Sequence, residues 1–125
     1  MQELDSTHIS IVVPCYNEEV SLPRFLEEIT KTMSGVKHLF PQDNKPFYEL
    51  IFVNDGSKDE TLEILHNMQK NHTDSTYRIN VYSFSRNFGK EAAILAGLQK
   101  ARGEGVILLD ADLQDPPSLI PQMIQ

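Results

Sequence analysis

Four short apolar runs, rich in β-branched residues, punctuate the chain at positions 9–13, 50–53, 79–84 and 106–109. Each is followed by a polar or glycine-bearing turn and then by apolar residues at helical spacing, so the pattern predicts four consecutive β-α units. In the first unit Ser21 is a candidate N-cap and Pro23 falls in the first turn. Leu22, Phe25, Leu26, Ile29 and Met33 share one face, and Gly35 is a candidate stop. Ser57 is a candidate cap for a second helix carrying Leu62, Leu65 and Met68. A third helix, 90–101, is rich in Ala and Gly and suited to close packing on a sheet, and a fourth begins after Pro116 and Pro117. Residues 36–47 hold two prolines and little periodicity, which predicts a long exposed loop.

Strands alternating with helices imply an α/β fold: a mostly parallel sheet with helices on both faces. Strands buried on both faces read as continuous apolar runs, as Ile11-Val12-Val13 and Val106-Ile107-Leu108-Leu109 do. Ligands of such sheets bind beyond the carboxyl ends of the strands, and every polar cluster of this chain follows a predicted strand. The clusters are Pro14-Cys15-Tyr16-Asn17-Glu18, Asn54-Asp55-Gly56-Ser57, Ser85-Arg86-Asn87-Phe88-Gly89-Lys90 and Asp110-Ala111-Asp112-Leu113-Gln114-Asp115. Four such coincidences point to one rim.

Composition narrows the classes. At 125 residues, 40% hydrophobic and 23% charged, the chain has the make-up of one globular domain. A formal charge of -7 without a Lys/Arg cluster argues against nucleic acid or an anionic membrane surface as partner. An anionic ligand then needs a cation or a helix N-terminus. The single cysteine, Cys15, forms no internal disulfide, reads as a small packing residue and fits a reducing cytoplasm. His8, His38, His66 and His72 offer no paired ligand spacing for zinc, and Met33 and Met68 read as core. The N-terminus is polar and acidic rather than a signal peptide, and no apolar run reaches the roughly 20 residues of a membrane span. A soluble chain is expected.

Asp110 and Asp112, one residue apart at a strand end, with Gln114 beyond, are candidate oxygen ligands for Mg²⁺ or Mn²⁺. Such ions combine one or two carboxylates with substrate phosphates. The alternative is that these acids decorate a turn or cap the next helix. Asp55 is placed to hydrogen-bond a ribose hydroxyl or a base edge, or else is a turn residue ahead of Gly56. Tyr16, with Asn17 and Glu18 oriented beside it, either meets the base or anchors the turn. Arg86 and Lys90 could contact a diphosphate as a planar fork and a point charge, with Gly89 allowing close backbone approach, or lie on a solvated helix start.

Taken together, the four clusters resemble the family 2 glycosyltransferases of the GT-A fold, from about Ile9 to the end of the chain. Within that family, Ser-Arg-Asn-Phe-Gly-Lys-Glu-Ala-Ala at 85–93 and Asp-Ala-Asp-Leu-Gln-Asp-Pro-Pro at 110–117 resemble the polyprenyl-phosphate branch. Dolichyl-phosphate mannosyltransferases and bactoprenol glucosyltransferases belong to it. The resemblance implies that Pro14, Tyr16, Glu18 and Asp55 line the nucleoside pocket, that Ala111 lies against the sugar diphosphate, and that Asp110, Asp112 and Gln114 surround a divalent cation. It implies inverting transfer of a hexose, with UDP-glucose favoured, to a polyprenyl phosphate at the cytoplasmic face of a membrane. The full enzymes of the family continue past this point with acceptor and membrane regions. The chain is therefore expected to be the nucleotide-sugar-binding part of an incomplete fold, to bind donor without transferring sugar, and to leave apolar sheet edges open to homo-oligomerisation. Two other readings stay open: the same fold with a saccharide acceptor, and a noncatalytic nucleotide-binding or phospho-acceptor module in which Asp55 is the functional carboxylate.

Overall fold

The computed structural model describes residues 7–43, 45–113, 117 and 120–124. The elements run β1 Thr7–Cys15, α1 Leu22–Val36, a 3₁₀ turn Lys37–Leu39, β2 Tyr48–Asn54, α2 Thr61–Asn71, β3 Tyr77–Ser83, α3 Lys90–Lys100, β4 Gly103–Leu108 and α4 Ile120–Ile124. The four strands form one sheet in the order β3-β2-β1-β4, with every pairing parallel.

This order and the handedness of the connections fix the face on which each helix lies. The chain steps twice in one direction, β1 to β2 to β3, and right-handed crossovers put α1 and α2 on the same face. It then crosses back to the far side of β1, which puts α3 on the opposite face. The core divides accordingly. Ile11, Val13, Leu50 and Phe52 pack with Phe25, Ile29, Met33 and Leu65 on the first face, and Val12, Ile51 and Val53 pack with Ala93 on the second. Phe25, Ile29 and Met33 are fully buried, each removing a side chain from water for about 1.5–3 kcal/mol. On the second face α3 lies so close that a Cβ at Gly97 would sit 2.4 Å from Val12 Cγ1.

Several expectations are corrected. Val106 and Leu108 are 46% and 45% exposed, and only Ile107 on β4 is buried. β4 is an edge strand among the described residues, and α3 packs over β1 and β2 instead, so the run at 106–109 is one-sided despite its apolar sequence. α1 continues through Gly35 to Val36 because nothing there demands a left-handed turn. Ser57 does not cap α2, which starts at Thr61. Its hydroxyl accepts the Asn17 N–H (2.9 Å), while Asp59 Oδ1 takes the Thr61 N–H (2.9 Å). Ser21 occupies the N-cap of α1 without a side-chain cap, its hydroxyl being turned to Glu18. The loop at 36–47 is only partly exposed, since Phe47 is buried against Phe40.

At the amino-terminal edge of the sheet, a buried Glu49 accepts hydrogen bonds from Ser10 Oγ (2.6 Å) and Arg102 N (2.7 Å), and Gly103 N donates to Ser10 Oγ (2.7 Å). These bonds fasten the entry to β4 beneath β1, at the end remote from the polar clusters.

Candidate active site

Sheet order changes direction between β1 and β4, and a crevice opens at such a switch point because the loops leaving the two strands diverge. Pro14 helps open it. Val12 O accepts from Leu109 N and Cys15 O from Asp55 N, so even-numbered residues here direct their backbone groups toward β4 and odd ones toward β2. Pro14, lacking an N–H, removes the next donor toward β4, and the paired register indeed ends at Val12↔Leu108.

The resulting cleft, about 160 Å³, is lined by Pro14, Cys15, Tyr16, Glu18, Asp55, Lys90, Ala93, Asp110, Ala111 and Asp112. It gathers most of the residues singled out from sequence. Gln114 lies outside the described residues, and two others sit elsewhere. Asn17, in the left-handed region at φ 54°, ties loops together: its N–H meets Ser57 and its Oδ1 accepts from Lys58 N (2.8 Å). Arg86 lies over the Phe88 ring, 4.8 Å from its centroid.

Two loop clamps shape the cleft. The β1–α1 loop is laced to the β2–α2 loop through those Asn17 contacts, through Glu18 N to Thr61 Oγ1 (2.7 Å) and through Glu19 N to Asp59 Oδ2 (3.3 Å). The second clamp is Asp55, 2% exposed. Its carboxylate accepts Phe88 N (2.8 Å), Gly89 N (3.1 Å) and Asn87 Nδ2 (3.2 Å). Gly56, at φ 65°, presses on the same loop, and a Cβ there would fall 2.2 Å from the Arg86 carbonyl carbon. Asp-Gly thus fixes the approach to α3, whose first residue, Lys90, puts Nζ 2.7 Å from Asp110 Oδ1.

The electrostatics are lopsided. Glu18, Asp55, Asp110 and Asp112 line the cleft against Lys90, the sole basic residue among the described residues of its lining. The Glu18 carboxyl is pushed up from its ordinary range, first by burial and then by the negative charges of Asp112, Asp110 and Asp59, with the Ser21 hydrogen bond opposing. Burial, followed by the Glu18 charge, pushes the Cys15 thiol far up, so it is no nucleophile here. Among the described residues no three His, Cys, Asp or Glu side chains are grouped so as to hold a metal ion. The surplus of hard carboxylate oxygens nevertheless suits Mg²⁺ or Mn²⁺ completing its shell with phosphate oxygens.

Sequence reasoning missed Cys15 and Ala93 as cleft walls and the 87–89 amides as partners of Asp55. The small residues at the start of a Gly-Lys-Glu-Ala-Ala helix were the available signal for Ala93. For the Asp55 contact there was none, because it spans more than thirty residues of sequence.

The chain matches the model of the glycosyl transferase family 2 over residues 10–125. It is 45% identical over 122 residues to an uncharacterized glycosyltransferase, YkcC, of Bacillus subtilis (strain 168), covering 96% of this chain and 34% of the relative. It is 43% identical over 117 residues to the bactoprenol glucosyl transferase of Shigella phage SfV, covering 94% and 34%. Among solved structures it resembles the mannosyltransferase PcManGT of Pyrobaculum calidifontis in complex with GDP-Man and Mn²⁺. There the TM-score is 0.68 at 26% identity, over 84% of this chain and 27% of that one. The chain thus spans about a third of the length of the curated relatives it matches.

Proposed function

From the premise that this chain belongs to glycosyl transferase family 2 and is a glycosyltransferase chain of GT-A fold, we propose that it holds the nucleotide-sugar donor in inverting transfer of a hexose to a polyprenyl phosphate. The observation that carries this reading is the acidic cleft at the β1/β4 switch point, where Asp110, Ala111 and Asp112 face Pro14, Tyr16, Glu18 and Asp55. A cleft with this charge takes a diphosphate only together with a cation. The solved structure of the mannosyltransferase neighbour is a complex with GDP-Man and Mn²⁺.

In this reading Pro14, Tyr16, Glu18 and Asp55 receive the nucleoside, Asn17 holds their loop, and Ala111, without a bulky side chain, lets the sugar diphosphate lie close. Asp110 and Asp112, with Gln114, would hold the divalent ion, which when bound offsets charge on the diphosphate. Lys90 adds a point charge from the opposite wall, and Arg86 is within the same loop. In the reaction, an oxygen of the acceptor phosphate forms the new bond to the anomeric carbon from the side opposite the nucleotide. The bond from that carbon to the diphosphate oxygen breaks, and its electron pair leaves with the nucleoside diphosphate. A phosphate monoester has a second pKa of about 6, so near neutral pH the nucleophile is already ionised and no strong general base is required.

UDP-glucose is the favoured donor, because residues 85–93 and 110–117 match the bactoprenol type and a relative is named a bactoprenol glucosyl transferase. A lipid acceptor places the reaction at a membrane surface, on the cytoplasmic side where nucleotide sugars are made. No helix among the described residues is long and apolar enough to cross a membrane. The test is transfer of labelled hexose from UDP-glucose or GDP-mannose to undecaprenyl phosphate, by membranes from cells expressing the gene that encodes this chain. Cation-dependent label in the organic phase, lost with Asp112→Ala, is expected. Label confined to water-soluble glycan would replace the lipid acceptor by a saccharide one.

A further inference from the structure

Lys90 is not merely near the acidic pair; it is seated there. Asp55 grips two consecutive amides, Phe88 N and Gly89 N, immediately before α3, and Gly56 backs the same turn. The backbone at the start of α3 is thereby fixed relative to β2. From it Lys90 crosses the cleft to Asp110 at 2.7 Å, with Asp110 only 25% exposed and the lysine side chain 61% exposed. Asp110 therefore already has a cation on one oxygen. A divalent ion approaching that carboxylate meets a positive charge at hydrogen-bond distance from it.

We propose that Lys90 is the resident counter-cation of Asp110, displaced when a divalent ion arrives with the nucleotide diphosphate and then re-partnered by that diphosphate. The proposal rests on the donor-site reading above and assigns the lysine two successive anionic partners. A bare ion must break the Lys90–Asp110 pair and leave the ammonium beside a dication. An ion accompanied by a diphosphate gives the ammonium a replacement anion. The consequence is a further positive coupling between metal and nucleotide, supplied by one side chain in addition to the direct attraction of ion and diphosphate. By linkage each ligand raises the affinity of the other by the same factor. The exposure of the lysine stem lets it swing without repacking, while the clamped backbone keeps the head group within the cleft.

The experiment measures Mn²⁺ binding alone, from loss of the free aquo-ion electron paramagnetic resonance signal, and UDP and GDP binding with and without Mn²⁺ by calorimetry. The proteins are the parent chain, Lys90→Met, Lys90→Arg and Lys58→Met. The last removes the same charge from the β2–α2 loop without touching the Asp110 pair. Lys90→Met is expected to bind bare Mn²⁺ about fivefold more tightly than the parent, the size of a partly exposed ion pair. Its Mn²⁺-dependent gain in nucleotide affinity should be about fivefold smaller than the parent's, the remainder being the direct attraction between ion and diphosphate. Lys90→Arg should keep most of the coupling, and Lys58→Met should leave both quantities near parent values.

Unchanged or weaker bare Mn²⁺ binding in Lys90→Met would overturn the proposal, as would an equal gain in Lys58→Met. If the parent binds neither nucleotide, the donor-site reading fails. The bare-ion comparison still decides whether Lys90 competes for Asp110.

Discussion

Replacing Asp55 by alanine separates the role of this residue in shaping the site from any contact with a ligand. The parent carboxylate accepts three hydrogen bonds, from Phe88 N, Gly89 N and Asn87 Nδ2, at 2.8 to 3.2 Å. A hydrogen bond to a charged group contributes about 1.5–3 kcal/mol, and a buried donor left without a partner costs about 1–3 kcal/mol. Asn87 and Phe88 are exposed and Gly89 half-buried, so water recovers part of the loss at two of the three donors. The expected destabilisation is therefore about 2–4 kcal/mol, well short of the sum of three full bonds. Asp55→Asn keeps one acceptor oxygen but sets an NH₂ group against the other N–H, and should recover only part of it. Urea unfolding of the chain reads this as a lower midpoint at unchanged slope, and amide exchange at Phe88 and Gly89 should lose its protection before any ligand is added. A change below about 0.5 kcal/mol, the scatter of ordinary surface substitutions, with protection intact at both amides, would refute the clamp.

Other outcomes follow from the packing and the charges. Gly97→Ala gains about 1 kcal/mol of helix propensity. Its new Cβ would nevertheless strike the stiff, fully buried Val12 at 2.4 Å, and overpacking costs about 1–3 kcal/mol. Net destabilisation in urea, relieved when Val12→Ala is added, is expected. The Glu18 carboxyl has a folded pKa raised above its unfolded value, so the folded chain holds that proton more tightly. Stability from this group is full below the unfolded pKa of about 4.3 and is lost as pH rises through the folded value. Glu18→Gln should therefore match the parent in acid and exceed it in stability near neutral pH, in parallel urea series at the two pH values.

Much of the fold was legible because its signals are local. The four β-α units, the amphipathic face of α1 with Phe25, Ile29 and Met33, and the polar clusters after each strand all lie within short windows, and the structure places those clusters at one end of a parallel sheet. What local reading could not see depends on position within the sheet or on distant partners. Val106 and Leu108 have the sequence of a buried strand but stand at its edge. Ser57 looks like a helix cap and instead serves the loop of Asn17, forty residues away. Glu49 interrupts an apolar run, yet it is buried because Ser10, Asn80 and Arg102 converge on it. Asp55 reads as a turn or ligand residue, and its own loop contacts decide the geometry of the cleft.

The central claim, a metal-assisted donor site at the β1/β4 switch point, is tested most directly by calorimetric titration of UDP and GDP into the chain with and without Mn²⁺, repeated on Asp112→Ala. The account predicts that one nucleotide binds, that binding requires the metal, and that the variant, still folded, loses it. Failure of both nucleotides to bind a folded parent chain in the presence of Mn²⁺, or binding that survives Asp112→Ala undiminished, would contradict it.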